Sequence, residues 1–382
     1  MTNFEKAAAI HASVSRGFFV VTGGGSGLLS ALLSVPGASR TVLEARVPYN
    51  TEAMTAFLGR KPEQFCSEPT ARRIAAMAWI QARKLAPGDD SVFGFALTAT
   101  LATSREHRGE HRVFAAFQSA GRTISYALEL PKGEADRAEE ERIVTDWALD
   151  LVAEFCEVAP VSHTPVNDCV PPSAWQRVLT GTVPFVEIHR NGSTSSTLSP
   201  ETRGIFSGSY DPIHVGHGTM HACAERLLGE RVALELAVLN ADKPPLDYVS
   251  ISGRLGRIWA EPTFGGDRVL LSGLPFFEQK AEAFPDRTFV VGMDTLQRIA
   301  DAKYHQNEPF LLEKSLLRLA ELGTRFLVFG RAKTTPAGKF FEAYDPALFP
   351  QTLAKLCEGV PEKTFRNDLT STEIRERMTK KS

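Results

Sequence analysis

Short apolar runs alternate with longer, periodically apolar stretches over residues 4–155. The runs at 18–21, 41–47, 92–98, 113–118 and 124–130 read as strands, and Ser119-Ala120-Gly121-Arg122 between the last two is a hairpin turn. Ile74, Met77, Ala78 and Ile80 give 70–85 a broad apolar helical face, and 139–155 forms a second helix. The early stretch 18–35 is strongly apolar, but Gly23, Gly24, Gly25 and Gly27 interrupt it. A buried strand, a turn and a helix fit it better than a membrane helix, which should be uniformly apolar, and it begins too far in for a signal peptide. The expectation is a mixed α/β domain over residues 1–160.

Between 161 and 202 the texture changes to Pro165, Pro171, Pro172 and Pro184, followed by Asn191-Gly192-Ser193-Thr194-Ser195-Ser196. Proline and Gly/Ser-rich runs support regular elements poorly, so this stretch is expected to be a linker. From 203 to 382 the order becomes regular. Strands at 204–207, 232–239, 269–271, 288–291 and 325–329 alternate with helices at 216–228, 250–260 and 309–322. Such alternation indicates a Rossmann-like parallel sheet covered by helices on both faces, with ligands at the carboxyl ends of its strands.

A chain of 382 residues favours two domains, each able to bury its own core. Charged residues make up 23% and the formal net charge is −2, a balance that speaks for small ligands and against nucleic acid as partner. Cys66, Cys156, Cys169, Cys223 and Cys357 are scattered and lack CxxC spacing. That excludes a zinc cluster or disulfide framework and fits a reducing cytoplasm, with no membrane partner expected. A homo-oligomer stays open.

The strongest chemical signal is Gly204-Ile205-Phe206-Ser207-Gly208-Ser209-Tyr210-Asp211-Pro212-Ile213-His214-Val215-Gly216-His217, at a strand-to-helix passage. Small residues let backbone amides approach a ligand, and a helix start offers unpaired N–H groups to phosphate. His214 and His217 flank Gly216 and can donate to charge developing on an attacked phosphate. The bland alternative is an amphipathic helix with His217, Met220, Ala224 and Leu227 on its buried face.

This segment resembles the nucleotidylyltransferase superfamily with its HxGH motif, and within it the adenylyltransferases acting on nicotinamide or nicotinic acid mononucleotide. Thr370-Ser371-Thr372-Glu373-Ile374-Arg375 resembles that family's (S/T)-S-T-x-(I/V)-R, which implies triphosphate contacts from Ser371, Thr372 and Arg375. Thr370 with Glu373 is equally a capping box, and both readings can hold. The resemblance further implies a phosphate-facing Lys243, a recurrent arginine at Arg254, and a Gly-x-Asp at Gly292-Met293-Asp294 whose carboxylate positions a nucleotide. A solvated lysine and an N-cap aspartate are the plain alternatives. Phe206, Ser207, Gly208, Ser209 and Gly216 complete the expected nucleotide site.

The implied reaction joins AMP from ATP to nicotinamide or nicotinic acid mononucleotide. His214 and His217 are its catalytic residues, and Mg2+ arrives with the triphosphate, so no protein metal cluster is expected. The family's pyridine-stacking tryptophan is missing after Asp294, where Tyr304 is the nearest aromatic residue. Cytidylyl transfer to another phosphorylated metabolite, and a non-catalytic nucleotide sensor, are the alternatives.

The first domain resembles the competence-damage-inducible C-terminal domain, a family that includes nicotinamide mononucleotide deamidases. The likeness rests on Gly24-Gly25-Ser26-Gly27 with the helix that follows, and on Tyr49-Asn50-Thr51-Glu52-Ala53-Met54. Active members carry Glu-Ser-Cys-Thr-Gly-Gly and Tyr-Ser-Asn-x-x-Lys, so the serine and lysine of hydrolysis fall on Gly23 and Met54. A third segment, Thr98-Ala99-Thr100-Leu101-Ala102-Thr103, lacks the family's glycines. The expectation is a domain without deamidase activity, with Thr22 and Ser26 as the nearest remaining hydroxyls.

Overall fold

A computed structural model describes residues 1–103, 109–335 and 338–367. The chain divides into two compact units, Met1–Gln176 with Asp242–Ser250, and Arg177–Ala241 with Ile251–Ser382.

The first unit runs α1 (Asn3–Ala12), β1 (Arg16–Thr22), α2 (Gly27–Leu33), β2 (Val42–Arg46), α3 (Thr51–Leu58), α4 (Glu68–Leu85), β3 (Val92–Thr100), β4 (His111–Ser119), β5 (Thr123–Leu130), α5 (Arg137–Phe155), β6 (Asn167–Cys169) and the start of α6 (Ser173–Leu179). Its sheet has the order β2-β1-β3-β4-β5-β6, parallel across the first three strands and antiparallel beyond. Side chains alternate across a strand, so Phe19 and Val21, with Phe93, Phe95 and Leu97, share one core with α1, α2 and α5. On α4 the buried stripe is Ala71, Ile74, Ala75, Ala78, Trp79 and Ala82, while Met77 and Ile80 are only half-buried. The small residues let α4 lie close on β3, where a β-carbon at Gly94 would sit 2.1 Å from the Ala75 carbonyl oxygen. Ser67 caps α4 by accepting the Thr70 N–H.

Asp242–Ser250 belongs to this first unit through polar bonds that bury well. The Arg72 guanidinium donates to Asp247 at 2.5 Å and to Ser250 Oγ at 3.0 Å, the Tyr248 N–H donates to Thr123 Oγ1 at 3.0 Å, and the Tyr248 hydroxyl donates to the Ala120 carbonyl at 2.5 Å. Glu68 holds the other side of Arg72 at 2.6 Å and accepts from Ser125 and Asn167.

The second unit continues with β7 (Phe185–His189), β8 (Thr194–Ser195), β9 (Thr202–Gly208), α7 (Val215–Leu228), β10 (Arg231–Ala237), α8 (Tyr248–Ala260), β11 (Arg268–Ser272), α9 (Phe277–Ala283), β12 (Thr288–Gly292), α10 (Met293–Ile299), α11 (Pro309–Glu321), β13 (Arg325–Phe329), the hairpin β14 (Arg331–Thr335) with β15 (Gly338–Glu342), α12 (Gln351–Ala354) and β16 (Cys357–Val360). The sheet order is β16-β13-β12-β9-β10-β11-β7-β8. All pairs from β16 to β11 are parallel, and β7 and β8 extend that sheet as an antiparallel edge. The stretch 161–202 therefore contributes a strand to the first sheet and two to the second. Val291, Met293 and Leu296 pack with Leu316, Leu319, Phe326 and Val328 in this unit's core.

Taken in chain order, the six parallel strands lie as 3-2-1-4-5-6, the doubly wound arrangement. Its switch point falls between β9 and β12. Their pairing ends at Phe206 with Val290, while the strands run on to Gly208 and Gly292, so they part where their carboxyl ends emerge. Among the described residues no helix is long and apolar enough to cross a membrane.

Candidate functional site

The passage from β9 to α7 leaves the sheet at this switch point. Tyr210 takes a left-handed backbone conformation, φ 45°, and folds its fully buried ring back under the strand, where its hydroxyl donates to the Phe206 carbonyl. That ring also meets Phe206 and His217 edge-on, at centroid distances of 5.8 and 5.4 Å. Arg254 on α8 braces the same turn, donating to the Ser209 carbonyl at 2.6 Å and to Asp211 at 3.0 Å. A strand residue and a helix residue thus fix the loop 209–214 before any ligand is present, which is the preorganisation that a binding loop requires.

His214 is the N-cap of α7 and His217 sits one turn inside it. The Gly216 N–H donates to His214 Nδ1 at 3.1 Å, and the His214 N–H donates to His217 Nδ1 at 3.3 Å. Each Nδ1 is therefore an acceptor, so the ring proton of each neutral imidazole is on Nε2. The two rings lie 4.0 Å apart. Burial pushes the His217 pKa down to about 3, helped by the neighbouring His214, and burial lowers His214 against the opposing pull of Glu261. At neutral pH this pair offers two N–H donors and no positive charge.

The other sequence-predicted residues divide by place. Phe206 is buried behind His217, and Gly208 makes room for the Tyr210 ring, which would meet a β-carbon there at 2.6 Å. The Ser207 hydroxyl points away from the loop and donates to Glu235 at 2.5 Å. Gly216 is covered by Asn367, whose amide nitrogen would meet a β-carbon there at 1.7 Å. Gly292 is the N-cap of α10 on the other side of the switch point. Asp294 is not the cap but a first-turn residue, exposed and ion-paired with Arg331 at 2.6 Å. Lys243 lies in Asp242–Ser250 and so in the first unit. Ser371, Thr372 and Arg375 lie outside the described residues.

The helical alternative for the histidines meets a difficulty. Ala224 is buried as that alternative expects, but Leu227 is 46% exposed, and His221 and Cys223, which it did not name, are buried in the later turns. Tyr304 is half-buried with the Lys303 ammonium 4.5 Å over its ring.

Sequence reasoning missed two ion pairs near these positions. Glu235 and Lys280 form a buried ion pair beneath Ser207, and Arg331 with Glu342 meets Asp294 from the hairpin after β13. A lone glutamate in the apolar run Val232-Ala233-Leu234-Glu235-Leu236 was the available signal for the first.

In the first unit, Gly23 has φ 77°, and a β-carbon there would lie 2.0 Å from the Ala99 carbonyl oxygen. Met54 is buried. The Thr22 hydroxyl donates to the Pro48 carbonyl and the Ser26 hydroxyl to Glu141, so both remaining hydroxyls are engaged within the unit.

No protein-family model and no curated protein matches the sequence. Among solved structures, the chain is similar to the competence/damage inducible protein CihA from Agrobacterium tumefaciens, at 19% identity and TM-score 0.34 over 40% of this chain and 94% of that one. It is similar also to a competence or damage-inducible protein from Enterobacter asburiae, at 18% identity and TM-score 0.33 over 41% and 98% of the two chains. A competence-damaged protein (CinA) superfamily protein from Enterobacter cloacae matches at 18% identity and TM-score 0.33, over 40% and 90%. These likenesses extend over about two-fifths of the chain and say nothing of nucleotidyl transfer.

Proposed function

We propose that the second unit is a nucleotidylyltransferase that transfers AMP from ATP to nicotinamide or nicotinic acid mononucleotide and releases pyrophosphate. The observation that carries the reading is the histidine pair. Two imidazoles, each with its Nδ1 fixed as acceptor and its proton on Nε2, start a helix at the switch point of a doubly wound sheet. The two Nδ1 contacts form a reciprocal capping box that engages only the Nδ1 atoms, so both Nε2–H groups are left to donate elsewhere.

In this reaction an oxygen of the acceptor phosphate forms a bond to the α-phosphorus of ATP. The bridging bond to the β-phosphate breaks in line, and its electron pair leaves with pyrophosphate. The Nε2–H groups of His214 and His217 donate to the oxygens on which charge grows. Their neutrality lets them do so without first binding the triphosphate as a fixed ion pair, so their stabilisation is greater in the transition state than in the ground state. The Gly208–Ser209 backbone holds phosphate oxygens, with Arg254 keeping the turn in place. By the resemblance Ser371, Thr372 and Arg375 add phosphate contacts, and Asp294 with Gly292 bounds the nucleotide on the β12 side.

Magnesium bound to the triphosphate's own oxygens supplies charge neutralisation at the leaving group. We assign no deamidase activity to the first unit, because Gly23 and Met54 stand where the serine and lysine of hydrolysis are expected and neither can act as nucleophile or proton carrier.

The test is pyrophosphate release by the full chain with Mg2+, offering ATP and CTP separately with each pyridine mononucleotide and with other phosphorylated acceptors. Dinucleotide formation that needs ATP, and that falls by about 10²-fold or more in His214→Ala/His217→Ala, is the expected result. Normal turnover by that double variant would remove the catalytic assignment. Release with CTP alone would keep the chemistry and change the substrate. Nucleotide binding without turnover on any acceptor would identify a sensor.

A further inference from the structure

One buried ionic cluster in the second unit has no part in the chemistry above. Glu235 on β10 is fully buried, and three donors converge on its carboxylate: the Lys280 ammonium on α9 at 2.5 Å, the Ser207 hydroxyl on β9 at 2.5 Å, and the Ser272 hydroxyl at the end of β11. Lys280 is 4% exposed and its ammonium also lies 3.4 Å from Ser207 Oγ. Ser207 and Glu235 face each other directly in the β9–β10 register.

A buried ion pair is a poor source of stability, since desolvation offsets most of the attraction and an apolar pair of similar volume often does as well. Its place in the sheet supplies a different role. The cluster spans the carboxyl-terminal ends of three adjacent parallel strands, where ligands of such sheets bind. Ser207 is the residue from which Gly208 and Ser209 lead into the turn, and β9 has by then lost its partner on the β12 side. Only the β10 side can hold it. The β9–β10 ladder runs on to Gly208 with Leu236, and the side-chain bond from Ser207 to a fixed carboxylate reinforces it one residue before it ends.

We propose that the Glu235–Lys280 pair is a positioning device for the phosphate-binding loop, acting through the Ser207 hydroxyl. This inference rests on the nucleotidylyltransferase reading, adds Glu235 and Lys280 to it, and gives Ser207, expected at the nucleotide, a positioning role instead. Lys280 neutralises and orients Glu235, Glu235 holds Ser207, and Ser207 sets the amides of Gly208 and Ser209. Ser272 gives the same carboxylate a bond of the same kind but leads into no loop of the site, and so serves as an internal control.

The experiment is a double-mutant cycle on the full chain, reading kcat and KM for ATP in pyrophosphate release together with thermal unfolding. Ser207→Ala and Lys280→Met should each lower kcat/KM by about tenfold, and the double variant by about the same factor and not by about a hundredfold, since both act through one link. Ser272→Ala should stay within about twofold of the parent while losing as much thermal stability as Ser207→Ala, because each removes one bond to the same carboxylate. Additive losses of kcat/KM in the double variant, or equal losses of kcat/KM from the two serine variants, would overturn the proposal. The comparison of the two serine variants decides the matter even where Lys280→Met does not fold. An unsubstituted protein without turnover would sink the nucleotidylyltransferase reading itself, and this inference with it, a result visible before any variant is compared.

Discussion

The Ser26 hydroxyl donates to a Glu141 carboxylate oxygen at 2.8 Å, and the same carboxylate accepts the backbone N–H groups of Gly25 and Gly27 at 2.9 and 3.3 Å. Burial alone would raise the Glu141 pKa, but these bonds outweigh it and hold the group below the usual carboxylate value. A carboxylate stabilised in its ionised form is a weak proton acceptor, so Ser26 is engaged without being activated. The turn at Gly25–Gly27 is thereby closed by a side chain of the same unit.

Putting serine and lysine back at the matching positions is therefore predicted to yield no deamidase. In Gly23→Ser/Met54→Lys the first substitution forces a side chain into a left-handed position against the Ala99 carbonyl, and the second sets an ammonium into a buried apolar site. Thermal unfolding should show a loss of about 2 kcal/mol or more, and ammonia release from nicotinamide mononucleotide should stay at background. Measurable deamidation by this variant would show that the site had only lost its two reactive groups.

The segment carrying Lys243 depends on a single buried cation. Arg72, paired with Asp247 and Glu68, is 8% exposed, and Asp247 is 1% exposed. Burial would raise the Asp247 carboxyl, yet the Arg72 charge and the bonds from Ser250 bring it below its ordinary value. Arg72→Met leaves two carboxylates without their partner and should cost about 3–5 kcal/mol in urea unfolding. Arg72→Met/Asp247→Asn should recover part of that loss, because it removes one stranded charge. A single variant within about 0.5 kcal/mol of the parent would mean that Asp242–Ser250 is held by Tyr248 and its neighbours instead.

The elements most legible in the sequence were those whose signals are local. The strand at 325–329 is found where the apolar run lies, and the helix expected at 216–228 is Val215–Leu228, capped by His214 and closed by Gly229 in a left-handed conformation. The turn between β9 and α7 was visible for the same reason, its small residues and histidines being contiguous. What the sequence hid depends on pairing between distant residues. Asn167–Cys169 has no apolar alternation and is a strand only because the edge of β5 is available to it. Phe185, Val186 and Ile188 are an apolar run, but Pro184 and the Gly/Ser-rich segment around it drew the stretch into a linker. The engagement of Ser207 with Glu235, of Asp294 with Arg331 and of Asp242–Ser250 with Arg72 joins residues 28, 37 and about 170 positions apart, beyond any local pattern.

The histidine pair predicts a particular dependence of stability on pH. In the unfolded chain His217 titrates near its ordinary 6.5, whereas in the folded chain burial, and then His214, hold it near 3. Between those values the unfolded state binds a proton that the folded state does not, so acidification favours unfolding and stability rises with pH across the window. The contribution is fully present above pH 6.5 and is lost at up to about 1.4 kcal/mol per pH unit below it. His217→Asn removes the titration while keeping, in the side-chain carbonyl, an acceptor for the His214 N–H. Thermal unfolding followed from pH 7.5 to pH 5 should fall more steeply for the parent than for this variant, with the two curves approaching one another as the pH drops. Parallel curves would show that His217 is solvated well enough to take up its proton in the folded state. In that case the neutral-donor geometry assigned to the pair would not hold at acidic pH.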